Sequence, residues 1–269
     1  MKARELLKYF LCIAPWVNPE NTVDKIIIGN PEKEISKILT VWQPSIVAVQ
    51  YAIDNGYDAI MTHEPTFYIH RDELATLESL PDNSVKKKIA LKKKQLIESA
   101  DLVVIRNHDV WDRFPKKGIP WAWADLIGLK GKPADFACEG YQHAYDIQPI
   151  SAMEFARQMN DRLPRKSEMQ FFGDGGKIVS RIGIGTGYAC ELEHYYRMSC
   201  DCVVVCDDNF LHWYDIAPAV DFGIPVIRVF HSTSEDPGMA WLAEYLRQEF
   251  PELQADHLPF GCYMEYQAI

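Results

Sequence analysis

The chain has 269 residues, 48% of them hydrophobic and 25% charged, enough to bury one large α/β domain or two lobes and too apolar for a long disordered region. A formal net charge of −10 argues against a general nucleic-acid binder and against attraction to anionic membrane. No run approaches the roughly 20 apolar residues of a membrane span, charges at Lys2, Arg4, Glu5 and Lys8 interrupt any signal-peptide core, and seven cysteines are an odd count for a disulfide framework, so a reducing cytoplasm is expected.

The N-terminal stretch reads as an amphipathic helix. Apolar bursts at Ile26 to Ile28 and Ile38 to Trp42 are followed by a helical stretch, Pro44 to Asn55, that stops at Gly56. The next run, Ala59 to Thr62, breaks off at His63-Glu64-Pro65, giving the order strand, strand, helix, strand. Helical spacing from Ser84 to Ala100 leads into the apolar run Leu102 to Ile105 and then Arg106-Asn107-His108. A further helix is expected over Trp121 to Leu129, and residues 132–176, with a helix at Ala152 to Asn160, are expected to bridge two lobes.

From Lys177 the order resumes: strand Ile178 to Ile184, a Gly-rich turn, helix Glu191 to Met198, strand Cys202 to Cys206, helix Asn209 to Asp221 and strand Pro225 to Phe230. Alternating strands and helices imply an α/β fold of two similar lobes, each with a largely parallel or mixed sheet flanked by helices. The expected domains are an N-terminal lobe, 1–131, the bridge, 132–176, and a C-terminal lobe, 177–269. A weak echo between Ala52 to His63 and Ala219 to His231 fits an internal duplication.

Three apolar strands end in histidine: His63, His108 and His231. Ligands collect beyond the carboxyl ends of strands in open parallel sheets, where loops diverge. Each histidine has a carboxylate nearby: Glu64 adjacent, Asp112 four residues on, and Glu235 four residues on. Imidazole and carboxylate together suit divalent metals.

Other patterns have plainer readings. Cys200, Cys202 and Cys206 fall on one face of an apolar strand, which makes buried small residues simpler than a thiolate site. Lys86 to Lys88 and Lys92 to Lys94 alternate with apolar residues and read as a solvated helix face. Gly183-x-Gly185-x-Gly187 lacks the spacing of a phosphate-binding fingerprint and reads as a tight turn.

Thr62-His63-Glu64-Pro65-Thr66-Phe67, Asn107 to Asp112 and Phe230 to Glu235 resemble, in order and separation, the three ligand motifs of the YbgI-like dinuclear-metal proteins. This family is also described as GTP cyclohydrolase I type 2-like or Ngg-interacting-factor-3-like. The resemblance spans most of the chain, including Ile182 to Gly187 and the helix carrying His212. It implies two divalent metal ions (zinc, iron, manganese or magnesium) held between the lobes at strand C-terminal ends, with His63, Asp112, His231 and Glu235 in ligand positions. Glu64 stands where the family carries a second histidine, a departure that adds negative charge and hardness. His108 matches a site histidine, either a ligand or the proton carrier of a catalytic step.

The resemblance further implies a homohexamer and metal-dependent hydrolysis of a nucleotide, phosphoester or cyclic amide. A non-enzymatic metal-binding or partner-binding assembly uses the same ligands and is the alternative.

Overall fold

The computed structural model describes residues 1–164 and 169–259. In chain order the elements begin with α1 (Ala3–Ile13), β1 (Lys25–Ile28), β2 (Lys37–Val41), α2 (Ile46–Asp54), β3 (Ala59–Thr62), α3 (Glu73–Ser79), α4 (Val85–Ser99), β4 (Val103–Arg106), α5 (Asp109–Asp112) and α6 (Ile119–Leu126). They continue with β5 (Asp135–Ala137), β6 (Gln142–Ser151), α7 (Ala152–Arg162), β7 (Met169–Phe172), β8 (Ile178–Ile184), α8 (Leu192–Arg197), β9 (Cys202–Cys206), α9 (Ala217–Asp221), β10 (Val226–Val229), α10 (His231–Glu249) and β11 (Gln254–His257).

The chain forms two compact units. The first runs from Met1 to Phe114 and resumes at Met239; the second runs from Pro115 to Gly238. These divisions differ from the expected boundaries at 131/132 and 176/177. Residues 132–176 contribute β5, β6 and β7 to the second unit's sheet, and the second crossing falls inside α10. Residues 260–269, the end of the expected C-terminal lobe, lie outside the described residues.

In the first unit a five-stranded sheet has the order β1-β4-β3-β2-β11. Strands β4, β3, β2 and β11 are parallel and β1 is antiparallel at one edge. β3 and β4 are buried along their whole length, which explains their unbroken apolar sequences. Ser45 and Ser84 start α2 and α4 by accepting the backbone N–H of Ala48 and Lys87. Gly56, at φ 67°, supplies the left-handed residue that ends α2 and turns the chain into β3.

In the second unit a six-stranded mixed sheet has the order β5-β6-β8-β9-β10-β7. Its centre, β8-β9-β10, is parallel, and β5, β6 and β7 join antiparallel. Ile182, Ile184, Val203 to Val205 and Ile227 fill the core, with Phe155, Met159 and Tyr195 packed from the helices. Cys200, Cys202 and Cys206 are all buried, as expected of strand-lining residues. The mixed α/β class and the two helix-flanked sheets accord with the sequence reading.

Candidate metal centre

Each unit delivers its histidines and carboxylates at the carboxyl ends of adjacent parallel strands. In the first unit His63 follows β3 directly and His108 begins the turn after β4. Ladder bonding continues past β3, from His63 N–H to Val41 O and from Glu64 N–H to Trp42 O, so both residues leave the sheet in fixed orientation.

The rings of His63 and His108 stack with centroids 4.4 Å apart and planes 8° apart. Donor atoms of His63, Glu64 and His108 all lie within 4.8 Å of one another. Asp112, at the end of the short helix α5, brings Oδ1 to 3.5 Å from His63 Nε2 and Oδ2 to 3.2 Å from His108 Nδ1. His63 and Asp112 are buried, at 0% and 4% exposure.

Residues remote in sequence hold this group in place. Asp24 accepts the backbone N–H of His108 and of Val110, which fixes the turn that presents Asp112. Burial pushes the Asp24 carboxyl up to about 6. Asp109 Oδ1 is 2.9 Å from His108 Nδ1, and its other oxygen accepts from Thr22 Oγ1 at 2.7 Å. Burial, with the neighbouring His63 ring and the Arg106 guanidinium, holds the His108 imidazole down to about 3, so it is a neutral ring at physiological pH.

The buried Arg106 donates from Nε to the carbonyl of His63 at 2.9 Å and from Nη1 to that of His70 at 2.6 Å. Lys93 is also buried and donates to Thr66 O at 2.6 Å, which corrects its reading as part of a solvated face. Glu73 Oε2 accepts from Phe67 N at 2.7 Å. The loop that follows Glu64 is therefore pinned by three buried ionisable side chains, Arg106, Lys93 and Glu73, each bonded to backbone.

In the second unit β8, β9 and β10 end side by side. His231 opens α10 directly after β10, and its Nε2 lies 2.8 Å from Glu235 Oε2, one turn along the helix. The two residues after β9 orient the ring: Asp207 Oδ1 accepts the His231 N–H at 2.7 Å, and Asp208 Oδ2 lies 3.0 Å from Nδ1. A carboxylate on the far nitrogen of a ligand histidine fixes its tautomer and raises its basicity. The His231 bond holds the Asp208 carboxyl below its ordinary value.

Gly187, just past β8, adopts φ 53°, and a Cβ there would lie 2.2 Å from Glu235 Oε1 and 2.6 Å from His231 Nε2. The Gly183-x-Gly185-x-Gly187 run is thus more than a turn. Added Cβ atoms at Gly183 and Gly185 would strike Tyr195 and the Ala189 carbonyl, while Gly187 leaves room beside the two donor atoms.

The donor chemistry fits divalent metal. Each unit contributes histidine with a nearly buried carboxylate, a combination that burial makes costly without a cation. His63, Glu64, His108 and Asp112 come together in one unit, and His231 and Glu235 in the other. The sequence reading overlooked Asp24, Asp109, Asp207, Asp208 and Arg106. For Asp207 and Asp208 a signal existed, since they follow an apolar strand as His63 does.

The Duf34/NIF3 (NGG1p interacting factor 3) family model matches residues 1–260. A GTP cyclohydrolase 1 type 2 homolog of Clostridium perfringens is 21% identical over 258 residues, covering 92% of both chains. Among solved structures, protein ybgI superposes with a TM-score of 0.78 at 20% identity, covering 96% of this chain and 98% of the other. Reduced HcgD from Methanocaldococcus jannaschii does so with a TM-score of 0.72 at 20% identity, covering 97% and 98%.

Proposed function

The chain belongs to the Duf34/NIF3 family, and from that premise we propose that it is a dinuclear divalent-metal protein and a metal-dependent hydrolase. The ligands are His63, Glu64, Asp112, His231 and Glu235. The observation that supports it is the repeated pairing of histidine with a nearly buried carboxylate beyond parallel strands in both units.

When bound, two divalent ions supply Lewis acidity and a nucleophile active at neutral pH. The chain's own residues do the rest. Asp208 holds His231 in the tautomer that leaves Nε2 as the basic nitrogen. Arg106 fixes the His63 carbonyl, and so the direction of the ligand-bearing loop. His108, 18% exposed at its side chain, is the proposed proton carrier, with Asp109 at Nδ1 to stabilise the charged ring against the burial that favours the neutral one.

The substrate class proposed is a purine nucleotide or a related phosphoester or cyclic amide, in keeping with the name of the Clostridium relative. We place the enzyme in the cytoplasm as a symmetric homohexamer, for which light scattering should give a multiple of the 30.9 kDa chain mass. Among the described residues no helix is long and apolar enough to cross a membrane.

The test is a turnover screen of GTP, other nucleotides and phosphoesters with added manganese or zinc. The reading expects hydrolysis that chelator abolishes and that His108→Ala lowers by about 10²-fold or more. Retained metal without turnover of any substrate would instead favour a metal-binding or protein-interaction assembly.

A further inference from the structure

A second group of donor atoms lies within the second unit, on elements the proposed centre does not use. Cys138, Glu191 and His194 each offer an atom, and the three atoms lie within 4.8 Å of one another. Cys138 stands in the turn between β5 and β6. Glu191 is the residue that precedes α8, and His194 is in that helix's first turn.

The turn is unusual. Cys138 and Glu139 take φ of 50° and 53°, and Gly140 follows at 98°. Two non-glycine residues in the left-handed region cost about 1–2 kcal/mol each and persist where surrounding structure fixes them. His143 is one such anchor: its Nε2 is 3.1 Å from the Gly140 carbonyl and its Nδ1 is 3.1 Å from the Tyr145 hydroxyl. The turn is held in the shape that brings the Cys138 thiol to α8.

Gln142 supplies the independent observation. It is fully buried, its Oε1 lies 3.1 Å from His194 Nδ1, and its Nε2 has no hydrogen-bond partner. What bears on the site is the amide oxygen: a fully buried acceptor committed to the imidazole holds the ring in one orientation. Accepting the Nδ1 proton leaves Nε2 as the basic nitrogen of His194; Glu191 Oε2 lies 3.6 Å from Nδ1, so an ion held at Nε2 requires the exposed Glu191 side chain to turn toward that nitrogen.

We propose that Cys138, Glu191 and His194 form a mononuclear site for a zinc-like divalent cation, with Gln142 fixing the histidine tautomer. Thiolate, imidazole and carboxylate in one set select such an ion over magnesium or calcium. Bonds of about 2.0–2.3 Å to a shared ion would draw the three donors together. Glu191 has 54% of its side chain exposed, so the ion exchanges with solvent. The ion clamps the β5–β6 turn to α8, and three protein ligands leave a position for water or an incoming ligand.

The test is cobalt(II) titration of the full chain after metal removal, read in the near-ultraviolet thiolate-to-cobalt charge-transfer band. The proposed histidine–carboxylate centre contains no thiolate and is silent there, so the two sites succeed or fail separately. The parent should develop the band with one equivalent bound at this site. Cys138→Ser should abolish it and lower total metal by one equivalent, Cys12→Ser should leave it unchanged, and His194→Ala should weaken binding at least tenfold. If circular dichroism shows Cys138→Ser unfolded, His194→Ala decides, and unchanged affinity there overturns the proposal. Absence of the band in the parent, or its survival in folded Cys138→Ser, overturns it as well.

Discussion

Replacing Gly187 by alanine separates a metal centre from a merely structural cluster. The new methyl would begin 2.2 Å from Glu235 Oε1 and 2.6 Å from His231 Nε2. To move from 2.2 Å to an ordinary contact of about 3.4 Å the carboxylate oxygen must retreat by about 1.2 Å, far beyond the roughly 0.2 Å tolerance of a metal–ligand bond. Both clashing atoms are side-chain ends, so the metal-free fold can yield. Its loss is mainly the left-handed penalty for alanine at φ 53°, about 1–2 kcal/mol. The assay pairs urea unfolding of metal-free protein with a competition titration against a chromophoric chelator. Gly187→Ala should unfold only slightly earlier when metal-free, yet hold one of the two ions of the histidine–carboxylate centre at least tenfold more weakly and lose most of the stabilisation which that centre confers. Parent-like affinity for both ions would refute the assignment of His231 and Glu235 as ligands.

Glu64→His should keep two-metal binding while shifting preference toward zinc. It replaces one of three carboxylates facing two divalent ions with a softer imidazole, and competition between zinc and manganese reads the shift. Lys93 predicts a pH signature: burial, opposed by Glu73, holds its amine down to about 7 from 10.5. Because the folded value is depressed, the stability that the neutral amine contributes is full above pH 10.5 and is lost as pH falls toward 7. Between pH 7 and 9 the parent should gain about 2 kcal/mol relative to Lys93→Met, and parallel urea curves for the two proteins across that range would contradict it.

Legibility in the sequence followed burial. β3, β8 and β9 match their expected spans residue for residue; β3 and β9 do so because a parallel strand covered on both faces reads as an apolar run between breakers, while β8, exposed at Ile178 and Ser180, was marked by its alternating start and the glycines that follow. β5, β6 and β7 were missed inside the expected bridge. β5 is exposed along most of its length, and the outer half of β6 carries Asp146 and Gln148, so neither offers the apolar run of a core strand. The first turn of α10 was hidden by its polar sequence, His231-Ser232-Thr233-Ser234-Glu235-Asp236, which its place beyond β10 buries in large part.

At the candidate site the histidines stood out because each comes just after an apolar strand. Their supports were not, since Asp24 reaches His108 across 84 residues and Arg106 reaches His63 across 43. Lys93 misled because it shares a lysine-rich helix with exposed neighbours, and only the fold places its amine against Thr66. The glycine run misled for a related reason: the atoms that Gly187 spares lie more than forty positions along the chain.

The most direct test of the central claim is elemental analysis of protein purified without chelator or affinity metal, alongside His63→Ala and Glu235→Ala. Two divalent ions per chain beyond any held at the cysteine site should be found in the parent and fewer in each variant, with chelator lowering the melting temperature of the parent alone by the full amount. A parent that carries no metal and melts at the same temperature with and without chelator would contradict it.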